Sequence, residues 1–595
     1  MKNLLYESHI CEHKPYSVKE CGLCVKNKGK ATKMLEGLYQ TVCKNLPTDK
    51  FEIVYYRSGW GQEYREERRR LSTGESFYIE NTRGRSSHQH HPLVQLQFDD
   101  GEAFLIGYAW SGNWFFEINS QGDVRIGQNA TMFSMHLEPG QEILSPSILI
   151  ANGNNITQAV LSMTRFMKHY WMPLNQNNPI MVEWNHWWTY EDVDMNEIVF
   201  RRNADEAAEL GINLCTLDAG WYGSGDVIWS KKQGDWNEVN KEKFPHGLRF
   251  LSDYVHQKGM KFGIWMEPEA MGALSSLRKT HPEFEAIRDQ KTYENPYICL
   301  GNPEAEQWLL NQITAVIEES CCDWLKLDFN LDPEYGCNRT DHGHQAGNGL
   351  WEHYQGYYRI LDLLHKKYPK LMIENCSSGG LRCDFGMLRH VQTTFLSDVD
   401  TVIHSLESFW ALSHFVPAIG ILHWVWSQTR RYEDGSYVFP SYDINKDTED
   451  GQLKFMLRTA MLHQMGFSRD LTSLPDNMKH IIRKELEFYK TVMIQYLIYG
   501  DIVHLTHTDT HMGFQYQYES SNLVILFCIH KGKHAEKTRV RLQLLEKEKR
   551  YHVEYMDSGN VVEAYGEELM KQGIRVDSMD TMTSEIVRVS LQEEK

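Results

Sequence analysis

Hydrophobic and polar positions alternate in different ways along the chain and divide it into three regions. From residue 1 to about 170, short apolar runs are separated by turn signals such as Asp99-Asp100-Gly101, and helical spacing begins only at about Ile156. This pattern predicts an N-terminal β-sandwich domain with a linker helix. From about residue 505 strand-like runs return, which predicts a C-terminal antiparallel β domain over 505–595.

The central region, residues 171–504, alternates helical patterns with short apolar strands. The predicted helices are 196–209, 246–258, 303–320 and 350–367, and the predicted strands are 212–217, 261–266, 323–327, 370–374 and 391–396. Alternating units of this size predict a parallel sheet, and their number favours a closed barrel. The expected fold class is therefore α/β, with a central (β/α)8 barrel between two β domains.

Polar and aromatic side chains follow five of these strands at the point where each strand ends. They belong to Asp218-Ala219-Gly220-Trp221, Trp265-Met266-Glu267-Pro268-Glu269, Asp328, Glu374-Asn375-Cys376 and Ser397-Asp398. In a (β/α)8 barrel the carboxyl ends of all strands meet at one face, where reactive groups are exposed. The sequence therefore predicts an active site rich in carboxyl and indole groups at this face.

Asp328 is the first candidate for a reactive carboxylate. It follows a strand buried on both faces, and Lys326, two residues earlier, leaves the strand on the same side. A neighbouring cation favours the ionised carboxylate, which suits a nucleophile. A solvated loop acid is the alternative. Asp398 is the candidate for a second, proton-carrying group, with Asp400 as competitor or helix N-cap; spacing does not choose between them.

The amino-acid composition limits which classes of molecule the protein is expected to bind. The 17 Trp and 30 Tyr suit a surface that stacks on sugars, and the net charge of −18 disfavours nucleic acid. The sequence has no apolar run of 18 residues, so no membrane span is expected. Its N-terminus lacks a signal-peptide core, which predicts a cytoplasmic, reducing location where the 12 cysteines are mostly free thiols.

Two groups of residues have side chains that can bind metal ions, but their spacing in the sequence is not typical of metal sites. Cys11, His13, Cys21 and Cys24 include a Cys-x-x-Cys pair, but free thiols near a terminus are the alternative. The set Asp398, Asp400 and His404 lacks the tight spacing of metal-dependent hydrolases. We therefore expect no metal.

Six ordered stretches of the barrel region resemble glycoside hydrolase family 36, which comprises retaining α-galactosidases and α-N-acetylgalactosaminidases and shares a clan with family 27. They are Leu217-Asp218-Ala219-Gly220-Trp221, Gly234-Asp235-Trp236, Phe262-Gly263-Ile264-Trp265-Met266-Glu267-Pro268, Lys326-Leu327-Asp328-Phe329-Asn330, Cys376-Ser377-Ser378-Gly379-Gly380 and Ser397-Asp398-Val399-Asp400. The resemblance covers most of the chain from about residue 50. It agrees with the acidic face, because glycoside cleavage uses two carboxyl groups on either side of the reacting carbon.

The resemblance implies that Asp328 is the nucleophile and that Asp398, rather than Asp400, is the acid/base. It implies a sugar-binding set of Trp187, matching the family's first-strand Trp, with Asp218, Trp265, Lys326, Cys376, Gly379 and Arg382. It implies no cofactor, an oligosaccharide or glycoside substrate, and a homo-oligomer. Relatives bring their N-terminal domain to a neighbouring active site, which Trp60 could reach, although a buried core Trp is the alternative.

Four departures from the family pattern concern the substrate. Ala219 replaces the second of two adjacent acids, Trp188 replaces a Glu, Leu327 replaces a Trp, and Leu381 replaces a Gly. The expected activity is a retaining exo-glycosidase for terminal α-galactose-configured residues. A related enzyme for α-GalNAc or β-L-arabinopyranoside, a transglycosylase, and a non-catalytic sugar-binding protein are the alternatives.

Overall fold

The computed structural model describes residues 4–174, 180–225, 227–530, 539–576 and 579–592. Within these residues the predicted α/β organisation is confirmed: antiparallel sheets come first, a closed eight-stranded parallel barrel follows, and an antiparallel sheet comes last. Helices α1 to α13 cover Ile156–Phe166, Trp187–Asp194, Glu197–Leu210, Leu248–Gln257, Ser276–Thr280, Pro303–Ser320, Gly349–Lys367, Phe385–Leu388, Val402–Leu412, Asp450–Met461, Asp476–Phe488, Ile494–Tyr499 and Gly566–Lys571.

The N-terminal domain consists of an eight-stranded sheet, a four-stranded sheet and a two-stranded ribbon. Its strands β1 to β14 cover Leu4–His13, Val18–Asn27, Lys33–Glu36, Leu38–Cys43, Phe51–Arg57, Arg65–Arg70, Phe77–Asn81, His90–Phe98, Ala103–Tyr108, Trp114–Ile118, Val124–Gln128, Ser134–Leu137, Glu142–Leu144 and Ile148–Gly153. The large sheet has the order β1-β2-β14-β9-β8-β5-β6, with β13 paired to β2, and the smaller has the order β4-β11-β10-β7.

The barrel closes in the order β15-β16-β17-β20-β21-β22-β23-β24, with the hairpin β18–β19 inserted after β17. Strands β15 to β24 cover Val182–Asn185, Leu214–Leu217, Lys261–Met266, Ile287–Arg288, Lys291–Thr292, Trp324–Leu327, Met372–Asn375, Thr393–Phe395, Ile421–Val425 and Gln464–Phe467. The sequence pattern located five of the eight barrel strands. It missed β15, β23 and β24.

Two helices of the barrel have termini at which a side chain or a glycine satisfies free backbone groups or ends the helix. The side chain of Asn302 accepts a hydrogen bond from the Glu304 N–H at the start of α6, and Pro303 occupies the first turn. Helix α3 begins at Asn196, whose side chain accepts from two backbone N–H groups, and ends at Gly211 in the left-handed conformation. These two helices flank strands that present candidate site residues.

The C-terminal sheet has the order β25-β26-β27-β32-β29-β30, and β28 pairs with β31. Strands β25 to β32 cover Asp501–His507, His511–Tyr518, Ser521–Cys528, Arg539–Val540, Arg550–Tyr555, Val561–Tyr565, Ile574–Arg575 and Thr583–Leu591. β25 begins at Asp501, four residues before the first residue of the C-terminal domain predicted from the sequence. Buried Arg458 of α10 joins the barrel to this domain by an ion pair with Asp557, and it also pairs with Glu485 of α11 at 3.0 Å.

Candidate active site

A cavity of about 560 Å³ opens at the carboxyl ends of the barrel strands. The strand ends that the sequence singled out supply much of its wall, which includes Asp218, Trp265, Lys326, Asp328, Cys376 and Asp398. The two candidate carboxyl groups therefore face one cavity. No helix in the described part of the chain is long and apolar enough to cross a membrane.

Four donors hold the carboxylate of Asp328. Its Oδ1 accepts from the backbone N–H groups of Phe329 at 2.8 Å and Ser378 at 3.2 Å. Its Oδ2 accepts from Asn330 Nδ2 at 2.9 Å and from Trp265 Nε1 at 3.2 Å. Each oxygen thus has two donors, which fixes the orientation of the group towards the cavity and supports negative charge on it.

Asp398 has a different environment. Its Oδ2 accepts one hydrogen bond, from Trp60 Nε1 at 2.8 Å. Enclosure in the cavity and the negative charge of Asp328 raise the pKa of Asp398 to about 7, although the Trp60 bond acts in the opposite direction. Burial and the neighbouring carboxylate thus favour a proton on Asp398, as a general acid needs.

Trp60 belongs to the N-terminal domain of the same chain, in the turn between β5 and β6. It is 43% exposed, so it is not the buried core Trp that the sequence suggested as one alternative. The turn lies so close to the barrel that a Cβ at Gly61 would meet Val399 Cγ2 at 2.8 Å. The N–H that reaches Asp398 thus comes from a domain outside the barrel.

A second contact from the same turn holds the backbone beside Asp398. Buried Glu63 accepts from Ser397 Oγ at 2.8 Å and lies 3.3 Å from His404 Nε2. Gly379 has φ +73°, and a Cβ there would meet the Asp398 nitrogen at 2.6 Å. Gly379 is not part of the cavity wall and packs against the backbone of Ser397 and Asp398.

Asp400 is not part of the cavity wall. Its carboxyl group accepts from the backbone N–H of Ser427 at 3.0 Å and from the Ser427 hydroxyl at 2.6 Å, and burial raises its pKa to about 7. It is not a helix N-cap, since α9 begins after Thr401 without a side-chain cap. The geometry gives Asp400 a structural role.

Asp218 and two tryptophans form the wall next to β15 and β16. Asn185 Nδ2 donates to Asp218 Oδ2 at 2.7 Å, while burial raises the pKa of Asp218 to about 6. Trp187 and Trp188 both line the cavity. Trp187 does not lie on the first strand as expected: β15 ends at Asn185, and Trp187 is the first residue of α2.

Lys326 lines the cavity, but its close ion pair differs from the prediction. Its Nζ lies 3.3 Å from Glu374 Oε1, and the rings of Phe395 and Trp424 lie 3.9 and 4.5 Å away. Burial disfavours the ammonium, yet Glu374 and other nearby acids keep the pKa of Lys326 well above its usual value. The cation is therefore anchored by Glu374 rather than by Asp328.

Arg382 must be corrected as a predicted sugar-binding residue. It is fully buried, is not part of the cavity wall, and donates from Nη1 to both oxygens of Glu269 at 2.8 and 2.9 Å. Its guanidinium also lies over the rings of Phe329 and Tyr357. Resemblance located the residue in the correct loop, but its side chain stabilises that loop from behind.

Sequence reasoning missed the outer wall of the cavity. This wall includes Glu191, Asp192, Ile228, Trp229, Lys243, Arg430 and Tyr432. Glu191 has the left-handed φ of 47° and accepts from the Tyr432 hydroxyl at 2.8 Å. No strand-end pattern marks these residues, because they come from α2 and from segments that are distant from it in sequence.

The two groups weighed as metal ligands do not form sites in the described residues. Cys11 pairs with Glu20 across β1 and β2, and Cys21 with Ile10, while Cys24 lies opposite Glu7. Cys21 and Cys24 are three residues apart on one strand, so their side chains leave opposite faces. His404 contacts Glu63 instead of joining Asp398 and Asp400.

Comparison with known proteins identifies the family. A family model described as Melibiase matches residues 151–500, more than half of the chain. The chain belongs to the melibiase family. Models of the N-terminal and C-terminal domains of glycosyl hydrolase family 36 match residues 13–138 and 512–589. The predicted resemblance is thereby confirmed, and this melibiase-family protein is a glycoside hydrolase.

Several bacterial α-galactosidases are similar over most of their length. Alpha-galactosidase Mel36A of Lactobacillus acidophilus is 28% identical over 89% of this chain and 72% of its own, and AgaA of Geobacillus stearothermophilus is 27% identical over 92% and 74%. A solved structure of a Geobacillus AgaA variant with raffinose has a TM-score of 0.86 at 23% identity, covering 99% of this chain and 81% of that one. At this identity the structural match shows the fold.

The buried pair of Arg382 and Glu269 should be important for stability. We expect Arg382→Met to lower the free energy of unfolding by about 3–5 kcal/mol, because Glu269 would keep a buried charge without its partner. The urea midpoint of the full chain measures this. Arg359→Met is the matched control: Arg359 is half exposed and pairs with Glu306, so its loss should cost about 0–1 kcal/mol. Equal effects of the two changes would contradict the assignment.

Proposed function

We propose that this melibiase-family enzyme is a retaining exo-glycosidase that removes terminal α-galactose-configured residues from oligosaccharides or glycoconjugates through a covalent glycosyl-aspartate intermediate. One observation carries the proposal: Asp328 and Asp398 share a cavity, but four hydrogen bonds hold the first and one reaches the second. A nucleophile and a proton donor require this difference.

In the first step, an oxygen of Asp328 attacks the anomeric carbon, and the bond from that carbon to the leaving oxygen breaks. The proton of Asp398 passes to the leaving oxygen, so the aglycone departs as a neutral alcohol. The sugar remains as an ester of Asp328. Asp398, now ionised, retains its hydrogen bond from Trp60.

In the second step, Asp398 takes a proton from water, and the water oxygen attacks the anomeric carbon. The bond between that carbon and Asp328 breaks, which restores the carboxylate of Asp328 and the proton on Asp398. Each step inverts the anomeric carbon once, so the product keeps the configuration of the substrate. A sugar hydroxyl in place of water would give transglycosylation instead.

The sugar-binding roles follow from the cavity wall. Trp265 provides an apolar face, while Asp218 and Lys326 offer an acceptor and a donor for ring hydroxyls. Variants of the related AgaA have been solved with raffinose and with stachyose. We infer that oligosaccharides with terminal galactose of this kind are substrates here.

Replacing both carboxyl groups separately tests the mechanism. Asp328→Ala should abolish turnover, and a mechanism-based inhibitor should label Asp328. Asp398→Ala should slow hydrolysis of natural linkages by about 10²–10⁴-fold and affect aryl glycosides with good leaving groups less, since these need little protonation. Asp400→Asn is the control that should retain most activity. A label on another residue, or loss of activity in the control alone, would refute the assignment.

Trp60 should set the basic limb of the pH profile. Its hydrogen bond stabilises the ionised form of Asp398, so Trp60→Phe should raise the pKa of Asp398 from about 7. An acid with a raised pKa stays protonated to higher pH, and the fall of kcat/KM should move upward by about half to one pH unit. Trp308→Phe, a change on α6, is the control. A limb that does not move would show that Trp60 does not tune Asp398.

A second substrate class deserves a direct test because Ala219 lines the cavity where family galactosidases have a second acid. A missing charged acceptor for a hydroxyl costs about 1.5–3 kcal/mol, or about ten- to a hundred-fold. We expect Ala219→Asp to raise kcat/KM for α-galactoside relative to β-L-arabinopyranoside, which lacks the C6 hydroxymethyl group, by about tenfold or more. Nitrophenyl glycosides differing at C2 and C6 measure the ratio. A preference for α-GalNAc in this panel would show that the enzyme selects its substrate by the substituent at C2 of the sugar.

We also propose a reducing, cytoplasmic location and a homo-oligomer. The location is supported by the 12 cysteines, all of which are free thiols. The oligomer is supported by Tyr6 and Ile10, which are 52% and 63% exposed on the edge strand β1. Sedimentation equilibrium should give a multiple of the 69.6 kDa chain mass, and a single-chain mass would exclude the oligomer.

A further inference from the structure

Four side chains with metal-ligand chemistry meet at a buried point beside the barrel. Cys299, Cys337, His342 and His344 place one sulfur or ring nitrogen each within 4.8 Å of all the others. All four residues are buried. None of them is part of the wall of the active-site cavity.

The spacing of these atoms fits a tetrahedral ion. Cys299 Sγ lies 3.3 Å from His344 Nε2, and Cys337 Sγ lies 3.6 Å from His342 Nδ1. With zinc–sulfur bonds of about 2.3 Å and zinc–nitrogen bonds of about 2.05 Å, the sulfur–nitrogen edge of a tetrahedron is about 3.6 Å. The four atoms therefore need only small movements to surround one ion.

The other ring nitrogen of each histidine is already engaged. His342 Nε2 donates to the carbonyl of Glu283 at 2.7 Å, and His344 Nδ1 donates to the carbonyl of Gln345 at 2.9 Å. A carbonyl only accepts, so the proton of each neutral imidazole lies on the outer nitrogen and the lone pair of the inner nitrogen faces the sulfurs. Outer partners of this kind hold metal-binding histidines in the ligating tautomer.

The sulfur of Cys337 also has a backbone donor, since Ile287 N–H lies 3.4 Å from it. A hydrogen bond of this kind favours negative charge on sulfur, as in a metal-bound thiolate. Two thiolates neutralise a divalent cation, so the loaded cluster would carry no net charge into the interior. Among divalent ions, a tetrahedral set of two sulfurs and two nitrogens favours zinc.

We propose that Cys299, Cys337, His342 and His344 form a structural zinc site. On binding, each thiol releases its proton to solvent, and the four side chains complete the coordination without a position for water or substrate. This revises the expectation of no metal. The sequence did contain a signal, Cys337-x4-His342-x-His344, but Cys299 lies too far upstream to be grouped with it by spacing.

The zinc would join two loops at the face of the barrel that carries the active site. Cys299 lies near the end of the segment between β17 and α6, and the other three ligands belong to the segment between β20 and α7. The second segment begins with Asp328 and contains Asn330, which donates to Asp328. Its Asp332 binds Arg85 of the N-terminal domain at 2.8 Å. The ion would thus stabilise the segment behind the nucleophile and act as a positioning group.

Metal analysis of the full-length protein tests the site. The chain is expressed with added zinc, passed over a desalting column with EDTA, and analysed by mass spectrometry for metals. We expect about one zinc per chain. Cys337→Ser should lose the zinc, whereas Cys43→Ser, a change at a half-buried cysteine outside the cluster, should retain it. Zinc kept by Cys337→Ser, or absent from both the purified and the zinc-reconstituted wild type, would overturn the proposal.

A spectroscopic readout covers the case in which Cys337→Ser does not fold. Wild-type protein grown with Co²⁺ in place of zinc should show a thiolate-to-cobalt charge-transfer band and the intense visible bands of a tetrahedral ion. Weak octahedral bands would contradict the site. A disulfide between Cys299 and Cys337, found by mass mapping of the unreduced wild type, would also overturn it, because both thiolates would be consumed.

Discussion

The structure depends on the unequal support of two carboxyl groups that share one enclosed space. Two acids close together resist ionising together, and the hydrogen bonds around them decide which keeps its proton. Asp328 receives four donors, from its own strand end, from Trp265 of β17 and from the loop after β21, whereas Asp398 receives one, from Trp60. The different roles of nucleophile and acid/base are thus reflected in the number of hydrogen-bond donors around each carboxyl group.

The N-terminal domain takes part in this arrangement and does not merely cover the barrel. Arg85 binds Asp332 and donates to the carbonyl of Phe329, next to the nucleophile. Ser86 donates to Asp384 at 2.6 Å, at the start of α8. Together with Trp60, these contacts join the sandwich to the loops after three different barrel strands. An excised barrel would therefore lose polar partners at the site, besides the apolar area buried against it.

The features that could be predicted from the sequence are those that depend on the order of apolar and polar residues within single strands and helices. The three-part fold and the strand-end residues Asp218, Asp328 and Asp398 follow from periodicity, because a strand's last residue reaches the barrel face whatever the rest of the chain does. Resemblance named Trp60 only as a residue that could reach a neighbouring subunit's site, and no short-range pattern could show that its partner is Asp398 of the same chain, 338 positions away. Arg382 shows the limit of resemblance: a motif gives the loop, but the direction of a side chain depends on Glu269 and the rings packed around it.

The absence of a side chain at Gly379 constrains the position of the acid/base candidate Asp398. Gly379 has a left-handed backbone, and a side chain there would meet the Asp398 nitrogen at 2.6 Å and the Ser397 Cα at 2.9 Å. Any larger residue would have to displace this backbone, and the displacement would change the separation of Asp398 from the opposing carboxylate. In glycosidases, carboxyl groups about 5–5.5 Å apart support double displacement, and about 6.5–9.5 Å leaves room for direct attack by water. The stereochemical outcome of the reaction thus depends on the absence of a Cβ at Gly379.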